Sequence, residues 1–218
     1  MKKRLQELDD LALDIEFLLI SVIQGVALGV LASSSIDPLT SLHLNVFPYV
    51  VTAFLFILVF WSGAILHAIS FIDWPIDLYH SFLYFLASFV EIMAITHLTN
   101  PLLWFLFLFL FQIIALVLYA YDLRMITQRE HKFAVSSPGR LLYENIISEQ
   151  KKELLFFIPV SLLFNLVAVL LFFFQKELFI QRGYHVIFIL FQLVFALVFL
   201  FQQMKIFQKR SQLLVDFQ

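Results

Sequence analysis

Apolar residues run along this chain in stretches of about twenty, separated by short breaks that contain polar residues and proline. The hydrocarbon core of a bilayer is about 30 Å thick, and a helix rising 1.5 Å per residue crosses it with roughly 20 mostly apolar residues. Six stretches meet that requirement: 17–33, 46–69, 79–97, 102–121, 154–174 and 185–203. Asp37-Pro38 and Asn45 to Pro48 mark the first break, Asp73 to Asp77 around Trp74-Pro75 the second, and Asn100-Pro101 the third. Proline has no amide hydrogen but fits the first turn of a helix, so Pro48 and Pro101 read as helix openers. The turn at Thr99-Asn100-Pro101 is tight. Reading it as a kink would leave about 40 residues of unbroken helix, twice what a bilayer accommodates. Pro159 is the one proline well inside a span and is expected to kink it.

The segment between the fourth and fifth spans, residues 122–153, is the one gap long enough to hold structure of its own. Its pattern predicts an extension of span four to about Lys132 and a turn at Ser136-Ser137-Pro138-Gly139. A short helix follows, with Leu141, Leu142, Ile146 and Ile147 on one side and Glu144, Glu149 and Lys151 elsewhere. Ser137 suits the N-cap and Pro138 the first helical position. This amphipathic segment is expected to lie on the inner leaflet, and docking of a cytoplasmic partner is the alternative.

Basic residues orient the chain, because cytoplasmic segments carry the excess of Lys and Arg. Lys2, Lys3 and Arg4, then Arg124, Arg129, Lys132, Arg140, Lys151 and Lys152, then Lys205, Lys209 and Arg210 fall on one side, against Lys176 and Arg182 on the other. The expected topology is six spans in the cell membrane, with N- and C-termini cytoplasmic. Tyr49, Trp104 and Tyr184 would mark the outer headgroup level, and Trp74, Tyr79, Tyr119 and Tyr121 the inner one. Glu7, Asp9, Asp10, Asp14 and Glu16 do not suit the positive region of a cleaved leader, so the first span is read as retained.

Composition agrees with this class: 62% of residues are hydrophobic and 14% charged, where soluble domains have about 45–50% and about 25%. The class excludes a soluble enzyme and a disordered tail. With 14 Lys+Arg against 16 Asp+Glu there is no basic surface for nucleic acid. There is no cysteine, so disulfides, thiolate-bound metal and thiol catalysis are excluded. Neither a nucleophile elbow, a His-Glu-x-x-His helix nor a phosphate-binding loop is found, and the chain is not read as an enzyme. The fold class is therefore all-α: a polytopic six-helix membrane bundle with one short cytoplasmic amphipathic segment and the lipid bilayer as its first partner.

Three features remain as candidates. Ser21, Gly25, Gly29 and Ser33 recur every fourth residue along one face of the first span, a pattern that lets another helix approach closely. The expected neighbour is a span of the same chain; a homo-oligomer or another membrane protein is the alternative. Gln24, Glu91, Gln112, Asn165 and Gln192 each fall near mid-membrane depth, and Ser88 and Tyr84 share a helix face with Glu91 in the direction of His80. Polar groups in hydrocarbon must meet one another or water, so these side chains should turn inward. Glu91 is the one acidic residue deep in a span, with no Lys or Arg at matching depth. Such a residue is a functional candidate by default, as a proton carrier or cation ligand.

The histidines are the third feature. His67 and His80 flank a short turn and are expected to lie close together, while His97, His185 and His43 gather at the other end. No His-x3-His or Glu-x2-His spacing accompanies them, so neither metal nor cofactor is assigned. The leading functional reading is a small transporter or channel-like protein moving a proton or cation through a polar interior. A non-enzymatic membrane scaffold or subunit of a larger membrane complex is the alternative, and a histidine-haem redox protein a third.

Overall fold

The computed structural model describes residues 2–70, 78–128, 130 and 137–217, which are helical almost throughout with no strand among them. The principal helices are α1 (Lys2–Thr40), α2 (Phe47–Ser70), α3 (Leu78–Ile95), α4 (Pro101–Gln128), α5 (Ser137–Lys152), α6 (Ile158–Phe174) and α7 (His185–Phe217). Among the described residues, five stretches are long and apolar enough to cross a membrane: Phe17–Thr40, Leu44–His67, Pro101–Gln128, Gly139–Phe174 and His185–Gln212. The apolar stretch in α3, Tyr79–Ile95, is shorter. The expected turn at Trp74-Pro75, together with Lys132 and Ser136, lies outside the described residues.

Helix α4 supplies the spine of the bundle. Pro101, Trp104, Leu108, Gln112, Ala115, Leu118, Asp122 and Met125 are buried at steps of three and four residues, with Phe105 and Ile126 beside them, one continuous helical stripe. Helix α3 packs on one side of α4 and α6 on the other; α1 packs on α2 and α3, and α2 also on α7. Phe105 meets Phe164, Phe172 and Phe188 edge to face, with centroids 6.2, 5.2 and 6.4 Å apart, a geometry that aromatic quadrupoles favour. Leu163, Phe173, Phe191 and Phe201 point outward, as suits side chains bathed in acyl chains.

Local chemistry explains the helix ends. The expected break at Asp37-Pro38 is not one: α1 continues through Pro38 to Thr40. It stops in a Schellman motif, with Leu42 left-handed at φ 54°. His43 N–H donates to the Pro38 carbonyl at 3.0 Å and Leu42 N–H to the Leu39 carbonyl at 3.2 Å. Asn100 opens α4: its side-chain oxygen accepts from Leu103 N–H at 3.3 Å, and Pro101 occupies the first position, where no amide is needed.

The segment after α4 and the apolar helix that follows it form one path. Helix α5 runs through a π-helical turn at Glu153–Phe157 into α6. The turn carries one residue more than an α-turn, so the buried stripe steps five residues, from Glu153 to Ile158, before resuming at Ser161, Asn165, Ala168 and Phe172. Ile158 N–H donates to the Glu153 carbonyl. Pro159 cannot donate at all, and a widened turn relieves the clash that a proline ring makes with the preceding turn. What the structure shows beside the proline expected to kink the span is this π-turn. The apolar side of α5 is also split: Leu142 and Ile146 are buried against Ile126 of α4, while Leu141 is exposed. Much of the surface expected to meet the leaflet is thus covered by the protein itself.

Candidate functional site

A cavity of about 120 Å³ lies inside the bundle, in the half where α2 ends and α3 begins. Phe60, Phe111 and Phe157 form part of its apolar wall. Its polar wall includes His67, His80, Tyr84, Gln112, Asp122 and Glu153, together with Gln150, Ser161, Gln203 and Arg210. One water needs about 10–15 Å³ of such volume, so the space admits several.

Three helices converge on one corner of this cavity. His67 from α2 and His80 from α3 stack, with ring centroids 5.0 Å apart and planes 17° apart. Asp122 of α4 faces both: its Oδ1 lies 3.4 Å from His67 Nε2 and 3.4 Å from His80 Nε2. One potential ligand atom from each of the three lies within 4.8 Å of the others. His80 and Asp122 are buried and His67 nearly so. The closeness of the two histidines follows the sequence expectation; the carboxylate between them does not.

Glu153, also on the cavity lining, sits in the π-turn and accepts from Gln203 Nε2 at 2.8 Å. Arg210, buried on α7, donates from Nη1 to the Leu66 carbonyl near the end of α2 at 3.5 Å, and lies within electrostatic reach of Glu153. Gln150 Nε2 donates to the Tyr119 carbonyl at 3.2 Å. The cavity is therefore bounded by acidic, basic and imidazole groups drawn from helices far apart in sequence.

The five mid-depth polar residues are all buried, and their hydrogen bonds fall into separate groups. Gln24 Nε2 reaches Glu91 Oε2 at 3.5 Å, a long contact between α1 and α3. The other oxygens, Gln24 Oε1 and Glu91 Oε1, find no hydrogen-bond donor among the described residues. Asn165 and Gln192 bond in a separate group. Trp104 Nε1 donates to Gln192 Oε1 at 2.9 Å, Gln192 Nε2 to Asn165 Oδ1 at 2.9 Å, and Asn165 Nδ2 to the Ser161 carbonyl at 2.9 Å. That chain ties α4, α7 and α6 together with each amide satisfied, the expected form of polar glue between membrane helices. Gln112 lines the cavity. On α3, Ser88 Oγ donates to the Tyr84 carbonyl at 2.9 Å, and His80, Tyr84, Ser88 and Glu91 are all buried on one face. Tyr84 and His80 reach the cavity wall, and Glu91 lies beyond it.

Other expectations are corrected. Tyr49 and Trp104 are core residues, each 1% exposed, rather than headgroup markers. Their rings meet edge to face at 5.4 Å, and the Tyr49 hydroxyl bonds His185 Nδ1 at 2.9 Å. His97 Nδ1 lies 2.7 Å from the Met93 carbonyl. These local bonds occupy His185 and His97. Ser21, Gly25, Gly29 and Ser33 are exposed, and a Cβ added at Gly25 or Gly29 would meet nothing within 4 Å. The small-residue face is therefore not packed against another span of this chain.

Asp122 and Glu153 bounded the loop in the sequence reading and were not singled out. Their signal was in the periodicity. The stripe Leu108, Gln112, Ala115, Leu118 continues to Asp122 at the same spacing, which puts that carboxylate on the buried face. Leu142, Ile146, Gln150 and Glu153 do the same along α5. Arg210 carried no comparable local signal. Comparison of the chain with protein-family models, curated proteins and solved structures yields no match, so its function rests on these side chains.

Proposed function

We propose that this is a small membrane protein of six spans, both termini cytoplasmic, which takes a proton or cation from the cytoplasmic side into the interior of its bundle. The single observation that carries this reading is the buried polar face of α3. His80 and Tyr84 stand on the wall of the internal cavity, and Ser88 and Glu91 continue the same face toward mid-bundle, each no more than 3% exposed. Glu91 ends the series with one carboxylate oxygen lacking a donor among the described residues. A carboxyl group kept inside hydrocarbon with incomplete hydrogen bonding is costly to maintain, and it suits a group that exchanges a proton or cation.

The sixth span is α3. Its 18 residues rise about 27 Å, within the roughly 17–25 residues that cross a bilayer. Its packing between α1 and α4 supports the same count. The orientation is supported by the twelve-to-two division of basic residues. The cavity then opens the cytoplasmic half, with Glu91 the innermost group.

The test is ion flux into proteoliposomes under imposed proton and monovalent- and divalent-cation gradients, comparing wild type with Glu91→Gln. Flux in the wild type that the substitution abolishes is the expected result. Unchanged flux in Glu91→Gln removes Glu91 from the path. A wild type that moves no ion under any of these gradients ends the transport reading.

A further inference from the structure

We propose that His67, His80 and Asp122 form a binding site for a divalent first-row transition cation, with a coordination position left open to the cavity. Three observations converge on it. The first is distance. Asp122 Oδ1 lies 3.4 Å from each imidazole Nε2, beyond the about 2.7–3.2 Å of an N–H···O hydrogen bond. Two ligands held at about 2.0–2.2 Å from a tetrahedral ion are roughly 3.4 Å apart, so both separations equal the edge of a zinc-like coordination shell.

The second is origin. The three ligands come from α2, α3 and α4, and each is fixed by burial in its own helix. The stacking of the two imidazoles brings both Nε2 atoms to the same carboxylate oxygen. The three potential ligand atoms lie within 4.8 Å of one another, close enough for a small ion to draw them into one shell. The third is access. All three side chains line the same cavity, which has room for water or an exchanging ligand at the fourth position, as in three-ligand sites that keep one position open.

The donor set selects the ion class. Two imidazoles and one carboxylate suit Zn²⁺, Fe²⁺ or Co²⁺, whereas Mg²⁺ and Ca²⁺ prefer shells made of oxygen. Glu153 and Arg210, which line the same cavity, would set the charge around the open position. This site is independent of the transport reading: a chain that holds the cation but moves no ion keeps the site and loses the carrier.

The experiment is a Co²⁺ titration of the untagged, metal-stripped full chain in detergent micelles, followed by visible absorption. One Co²⁺ per chain with ligand-field bands is expected. The His67→Ala/His80→Ala variant, eluting as the wild type does, should bind more weakly by well over the about 100-fold seen for lesser losses around metal sites. Because the chain has no cysteine, Asp122→Cys supplies a single thiolate. It should add an intense near-ultraviolet thiolate-to-cobalt band that Ser161→Cys, elsewhere on the cavity wall, does not. A wild type that takes up no Co²⁺ overturns the proposal by itself, whatever the variants do. So does undiminished binding in the double alanine variant, or Co²⁺ bound to Asp122→Cys without the thiolate band.

Discussion

The Trp104–Gln192–Asn165 chain offers a direct measure of how polar contacts hold this bundle. All three residues are 2% exposed or less, and Gln192 makes two of the bonds, each 2.9 Å long. Gln192→Leu keeps the bulk but leaves the Trp104 N–H and the Asn165 side-chain oxygen buried without partners. An orphaned buried group costs about 1–3 kcal/mol, and hydrogen bonds measured between membrane helices average about 0.6 and reach about 1.7 kcal/mol. About 1–1.5 kcal/mol for each orphan gives an expected loss of roughly 2–3 kcal/mol. Trp104→Phe strands only the Gln192 oxygen and adds a packing loss. In the double variant neither the indole donor nor the amide acceptor remains to be stranded. The combined loss should therefore fall short of the sum of the single losses by about 1 kcal/mol or more. Equilibrium unfolding of all four proteins in mixed micelles reads this coupling. Additivity within about 0.3–0.5 kcal/mol would refute the view that these bonds are energetically linked.

Two further predictions concern helix ends and the segment between spans four and five. Leu42 is 78% exposed and left-handed, so Leu42→Gly gives up little packing and relieves a strain of about 1–2 kcal/mol. After the extra backbone entropy of glycine, a net stabilisation of about 0.5–1 kcal/mol is expected in the same unfolding assay; destabilisation would contradict the αL cap. Leu142, fully buried against α4, and its exposed neighbour Leu141 separate protein contact from lipid contact. Leu142→Ala should cost about 2–5 kcal/mol and speed hydrogen exchange in α5, with Leu141→Ala near neutral. The opposite order would mean that α5 packs chiefly against lipid.

The extent of what was legible differs from element to element. Pro48 and Pro101 marked helix starts because a missing amide is harmless only there, and the structure places both in a first turn. Pro38 carries the same residue type but lies in the last turn of α1, where the Schellman bonds beyond it supply the actual stop. Pro159 was legible as a perturbation, but its form, a π-turn, depends on keeping both Glu153 and Ile158 on a buried face. Tyr49 and Trp104 misled because an amphipathic ring near a helix end suits a headgroup layer and an edge-to-face core contact equally well.

By itself the sequence determined the class: apolar runs of bilayer length, punctuated by residues that helices tolerate only at their ends, permit little besides packed helices in lipid. It also carried the inward stripe of α4, since a period of 3.6 residues is a local property, but not that of α1, whose small-residue face is exposed. Which inward residues meet was decided only by the tertiary structure. That choice depends on the rotation, depth and neighbour of each helix, and these are set by interlocking side chains because lipid offers no hydrophobic drive between helices. Hence Glu91 met Gln24, Gln192 met Trp104 and Asn165, and His67 and His80 met a carboxylate more than forty residues further along the chain.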